Sequence, residues 1–148
     1  MNRKGIYRRG YDYDRVKIID DIVERIVESY DRCPLVYVKS FRYTCANCIY
    51  DIYNDEYAGC DRFKNALYEL FLRFWQDSMK RPNLKCRGVP QSIVPDPFRG
   101  LLRELIRRKI GLLHGFLYFS GRYYRPTNRF LNVIRGRETL EDAIKYIK

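Results

Sequence analysis

The chain has 148 residues, 46% of them hydrophobic and 32% charged, a length and composition at which one globular domain buries its own apolar core without needing disulfides or a metal to fold. No stretch approaches the ~20 consecutive apolar residues of a membrane-spanning helix, so a soluble protein is expected. Lys and Arg total 29 against 18 acidic residues, a formal net charge of +11, and such an imbalance points to a polyanionic partner, nucleic acid first and an anionic membrane face second.

Residues 1–12 read as a flexible basic arm: Arg3, Lys4, Arg8 and Arg9 alternate with Tyr7 and Tyr11, glycines punctuate them, and no periodicity buries a face. The positive start has no apolar core behind it, so no secretion signal is read and a cytoplasmic or within-virion location is expected. From Tyr13 to Tyr30, Val16, Ile19, Ile22, Val23, Ile26 and Val27 recur at three-and-four spacing, which predicts an amphipathic helix. Pro34 closes it, and Leu35 to Tyr43 alternates with β-branched and aromatic residues in the manner of a strand leading into a cysteine cluster.

Asp61 opens a second predicted helix, with Phe63, Ala66, Leu67, Leu70, Phe71, Phe74, Trp75 and Met79 as its buried stripe, ending before Pro82. The stretch 83–95 holds Gly88, Pro90 and Pro95 and reads as a long surface loop. Asp96 and Pro97 suit the N-cap and first position of a third helix, running to about Ile110, with Gly111 and Gly115 ending or bending it. Phe116–Phe119 and Arg122–Arg125 flank Ser120-Gly121 as in a tight hairpin, with a continued helix as the competing reading. Thr127 caps a short helix stopped by Gly136, and Thr139 with Asp142 forms a capping box for a last helix to Lys148. The expected fold is mainly α: one small helical domain over 13–148 of about four to five helices, with a minor β element, strand or hairpin, near the cysteines.

The cysteines are Cys33, Cys45, Cys48, Cys60 and Cys86. The two-residue gap in Cys45-Ala46-Asn47-Cys48 lets both thiolates reach one metal, and zinc takes four soft ligands in a tetrahedron. Cys33, Cys45, Cys48 and Cys60 are therefore the candidate ligands of one structural zinc, with Cys86 and His114 in reserve. Disulfides and free thiols remain alternatives, since scarce amides and abundant charge follow a trend of hyperthermophile proteins, in which intracellular disulfides occur.

The basic residues are concentrated. Between Pro97 and Arg137 lie ten, Arg99, Arg103, Arg107, Arg108, Lys109, Arg122, Arg125, Arg129, Arg135 and Arg137, against Glu104 alone. Arg99, Arg103 and Arg107 repeat every four residues, which puts them on one helix face with Phe98, Leu101, Leu102, Leu105 and Ile106 on the other. Guanidinium groups fork onto phosphate oxygens and stack on rings, and Tyr123 and Tyr124 interleave aromatic faces with Arg122 and Arg125. Catalysis finds little support: His114 is the sole histidine, and no phosphate loop, dinucleotide fingerprint or nucleophile elbow is present.

The expectation is a non-enzymatic nucleic-acid-binding structural protein, a nucleoprotein or virion component that works as a homo-oligomer or larger assembly. It coats double-stranded DNA, with RNA as the other target, through Arg3, Lys4, Arg8, Arg9, Arg99, Arg103, Arg107, Arg108, Arg122, Tyr123, Arg125 and Arg129. The alternatives are a zinc-stabilised regulator or assembly adaptor docking on a protein, and a head, tail or ribosomal component held mainly by protein contacts.

Overall fold

In a computed structural model of the chain, the residues described are 13–30, 61–80, 88–94 and 98–147. The N-terminal arm, the expected strand over 35–43, all five cysteines, and Asp96 with Pro97 lie outside them. The described residues form five α-helices and a small antiparallel sheet, so the domain is mainly α with a minor β element. In chain order these are α1 (Tyr13–Glu28), α2 (Asp61–Lys80), β1 (Val89–Pro90), α3 (Phe98–Arg107), β2 (Leu117–Ser120), β3 (Tyr123–Pro126), α4 (Asn128–Ile134) and α5 (Leu140–Ile147). Single 3-10 turns occupy Gln91–Ile93 and Leu113–Gly115. No helix among the described residues is long and apolar enough to cross a membrane.

The apolar spacing of α1 becomes a buried stripe, with Val16, Ile19, Ile22, Val23, Ile26 and Val27 all sealed against α2 and α4. The helix stops at Glu28, and the two residues after it anchor the chain elsewhere: the Tyr30 hydroxyl donates to Ile110 O at 2.9 Å, and Ser29 Oγ accepts from Leu112 N at 3.2 Å. Gly111 makes this junction possible, because its φ is +68° and a Cβ there would sit 2.5 Å from the Tyr30 ring.

Helix α2 is central, touching α1 on one side and β1 and β3 on another. Its buried arc is accordingly wider than a single stripe and adds Tyr68, Leu72 and Ser78 to Phe63, Leu67, Leu70, Phe71, Phe74 and Trp75. Met79 departs from the predicted stripe: it is 60% exposed, while the neighbouring Ser78 is buried and accepts a hydrogen bond from Arg135 Nη2 at 2.9 Å. Phe130 of α4 stacks on Phe71 with ring centroids 4.9 Å apart and meets Phe74 edge-on at 5.7 Å, an aromatic junction of the kind that adds about 0.5–1.5 kcal/mol per pair beyond its buried area.

Three elements differ from their sequence reading. The 83–95 stretch is not loop throughout: Val89 and Pro90 pair with Tyr124 and Tyr123 of β3, and Val89 and Val94 are buried. Proline suits this place because an edge position needs no N–H for the ladder. Gly88 leads the strand in with φ +96°, against β3 so closely that a Cβ would lie 2.9 Å from Tyr124 O.

Helix α3 ends at Arg107, short of Ile110, in a Schellman motif: Ile110 N bonds Leu105 O at 3.0 Å and Lys109 N bonds Ile106 O at 3.2 Å. Lys109, with φ 55°, takes the left-handed position that glycine usually fills. The hairpin forms, but its two-residue turn is Gly121-Arg122 rather than Ser120-Gly121, with Ser120 paired to Tyr123. The positive φ falls on Gly121 and not on Arg122, which is the type II′ pattern with glycine at the first central position.

The two C-terminal helices start as predicted. Thr127 Oγ1 accepts from Phe130 N at 3.2 Å and also donates to Gly115 O at 2.7 Å, while Thr139 Oγ1 accepts from Asp142 N at 3.1 Å. Gly136, with φ +74°, follows the end of α4. An Arg25–Glu141 ion pair ties α5 back to α1.

Candidate nucleic-acid interface

Helix α3 lays Phe98, Leu101, Leu102 and Leu105 into the core and turns its basic residues outward. They do not behave alike. Arg99 is only partly exposed, and its guanidinium is taken up by backbone carbonyls: Nε donates to Gln91 O and Val94 O, both at 3.1 Å, and Nη2 to Ser92 O at 3.4 Å. Arg99 therefore clamps the 3-10 turn rather than facing outward as expected from spacing alone. One turn on, Arg103 is exposed, lies 5.4 Å above the centroid of the Phe119 ring and donates from Nη2 to Gln91 Oε1 at 3.1 Å.

Gln91 is the connector. Its backbone N donates to Arg122 O at 3.0 Å and its side-chain Nε2 to Gly121 O at 3.2 Å, so the hairpin tip is tied to α3 through one residue. Both Arg103 and Arg122 are exposed, and Gln91 joins the backbone of the hairpin tip to the Arg103 side chain.

The pairing register sorts the hairpin's side chains by face. Leu117 opposes Pro126 and Phe119 opposes Tyr124; Leu117, Tyr124 and Pro126 are buried and Phe119 packs against the core. Tyr118 opposes Arg125 and Ser120 opposes Tyr123, and β1 adds Pro90 beside Tyr123. Because neighbours in a strand alternate sides, these five residues share the outer face. Tyr118 and Tyr123 are 44% and 45% exposed there, two of only four large apolar or aromatic side chains so exposed among the described residues.

The remaining candidates are distributed differently. Arg107 is exposed near the C-terminal end of α3 and pairs with Glu104 at 2.6 Å. Arg108 is exposed in the following turn. Arg129 turns to Glu138, which it bonds, and lies 3.4 Å over the Tyr146 ring. The Glu138 hydrogen bond, foremost, and its negative charge hold this guanidinium above its usual range. Arg3, Lys4, Arg8 and Arg9 are outside the described residues, as are the proposed zinc ligands Cys33, Cys45, Cys48 and Cys60. Among the described residues no group of His, Cys, Asp and Glu is arranged to hold a metal.

His114, the reserve ligand, stands in the 3-10 turn beside a cavity of about 420 Å³ that Asn128, Arg129, Asn132 and Tyr146 also line. Its Nδ1 is buried without a hydrogen-bond partner. Burial first, and the nearby Lys109 charge second, push its pKa below the ordinary value.

Sequence reading missed two residues of this candidate surface. Gln91 sat in a stretch taken for loop, where nothing marks a side chain that bridges two elements. Tyr118 was legible in principle, since a two-residue turn at either register leaves it on the face of Tyr123; moving the turn by one residue changes partners but not faces. No protein-family model, curated protein or solved structure matches the chain.

Proposed function

We propose that the protein is a non-enzymatic nucleic-acid-binding structural protein that coats its target through the surface formed by α3 and the hairpin. The observation that carries the reading is the Gln91 link, which ties the hairpin tip bearing the exposed Arg122 to the helix bearing the exposed Arg103. Sequence reinforces it: no Asp or Glu stands between Glu104 and Glu138, a span holding Arg107, Arg108, Lys109, Arg122, Arg125, Arg129, Arg135 and Arg137. Phosphates meeting this surface encounter cations with few competing carboxylates, and Arg offers each of them two parallel N–H donors.

Backbone contacts of this kind confer affinity with little sequence preference, and their signature is counterion release. Binding of the purified chain to fluorescently labelled random-sequence nucleic acid, followed by anisotropy across a salt series, is expected to weaken linearly in log–log form with a steep slope. Absence of binding at low salt contradicts the reading and makes the charge a property of the surface alone.

A further inference from the structure

The outer face of the sheet goes unused by an account built on phosphate contacts, and its chemistry is different. Tyr118 and Tyr123 lie on adjacent strands in diagonal register, nearly half exposed, on a face completed by Pro90, Ser120 and Arg125. None of those residues is acidic. The apolar needs of the hairpin are already met on its opposite face by Leu117, Phe119, Tyr124 and Pro126, so the two outer rings are not required for the core.

We infer that this face is a stacking platform for unpaired bases, and that the nucleic acid engaged is single-stranded. The inference rests on the nucleic-acid reading above and narrows it. Aromatic rings on an open sheet offer π faces, and unpaired bases stack on such rings whatever their identity. In a duplex the base faces are hidden in the stack. A two-stranded ribbon can enter the major groove, but there it needs side chains that read base edges; here a third strand broadens the ribbon, and the outward residues between the arginines are Tyr, Ser and Pro. Arg122, exposed at the hairpin tip and next in the chain to Tyr123, supplies a phosphate contact at the end of the platform, while Arg103, which lies over Phe119, belongs to the opposite side of the sheet. An extended strand laid over Tyr118 and Tyr123 thus meets rings for its bases and, at the hairpin tip, the exposed Arg122 guanidinium for its backbone.

The test compares the full chain's affinity for single strands of about 12 nucleotides, DNA and RNA, with its affinity for the corresponding duplexes at one salt concentration. The wild-type protein is expected to prefer the single strands. Replacing both Tyr118→Ala and Tyr123→Ala is expected to lower single-strand affinity on the order of tenfold or more while changing duplex affinity little. Tyr118→Phe with Tyr123→Phe is expected to retain the affinity, because stacking uses the ring and not the hydroxyl. Equal or tighter duplex binding by the wild-type chain overturns the proposal while leaving the nucleic-acid reading in place, as does an alanine pair that folds and binds single strands undiminished. Failure to bind either form overturns both. The wild-type comparison needs no variant, so the proposal remains testable even where the alanine pair fails to fold.

Discussion

Two backbone positions near the candidate interface carry opposite stability predictions, because both have positive φ but only one is glycine. At Gly88, φ is +96° and a Cβ would press on Tyr124 O, so Gly88→Ala should destabilise the fold by about 1–3 kcal/mol, read as a lower urea midpoint. At Lys109 the strain is already present. Left-handed backbone costs a side-chain-bearing residue about 1–2 kcal/mol, and glycine gives part of that back as chain entropy. Lys109→Gly should therefore stabilise by about 0.5–1 kcal/mol, provided the Schellman bonds at Ile110 and Lys109 persist.

His114 adds a pH dependence at the same scale. Its folded pKa is lowered by burial and by the Lys109 charge, so between the unfolded value near 6.5 and the lower folded value the unfolded chain holds more protons. Stability from this group is complete above the unfolded pKa and is lost as pH falls through that window toward the folded pKa. His114→Gln should remove this portion of the acid sensitivity when melting temperatures are compared from about pH 7.5 to about pH 5. An unchanged pH profile in the variant would assign the sensitivity to other groups.

At the level of elements, sequence pattern located what obeys local rules. The stripes of α1 and α2 follow from helical periodicity, the starts of α4 and α5 from Thr127 and Thr139, and the hairpin from glycine between two aromatic strands. What escaped was set by tertiary contact. Val89 and Pro90 become strand because β3 lies beside them, and nothing in Gly-Val-Pro-Gln announces a ladder. Helix α3 ends early, at Arg107, because Lys109 takes the left-handed position where no glycine announces a stop. Periodicity grouped Arg99 with Arg103, yet only the position of the 3-10 turn decides that one binds carbonyls and the other faces solvent. This distinction can be measured: Arg99→Ala should lower stability by about 1–2 kcal/mol, since it leaves three carbonyls without a charged donor, whereas Arg103→Ala should change it by no more than about 0.5 kcal/mol. Similar losses for both would contradict the division of roles.

Across the whole molecule, the fold turns a composition into a distribution. The large aromatic residues of α2 and α4 pack together in the core, and Arg103, Arg107 and Arg108 of α3 and its following turn and Arg122 of the hairpin tip are exposed. Net charge alone does not say where the cations of the proposed interface sit; the Gln91 bridge ties the hairpin tip that carries Arg122 to the helix that carries Arg103, nineteen positions apart in sequence. The most direct test is the salt dependence of nucleic-acid binding for the wild-type chain and for the double variant Arg103→Ala with Arg122→Ala. Each phosphate contact removed should lower the magnitude of the log–log slope by about 1, so the double variant should bind more weakly with a slope shallower by about 2 and an unchanged fold. An unaltered slope and affinity in a folded double variant would contradict the placement of the interface on α3 and the hairpin tip.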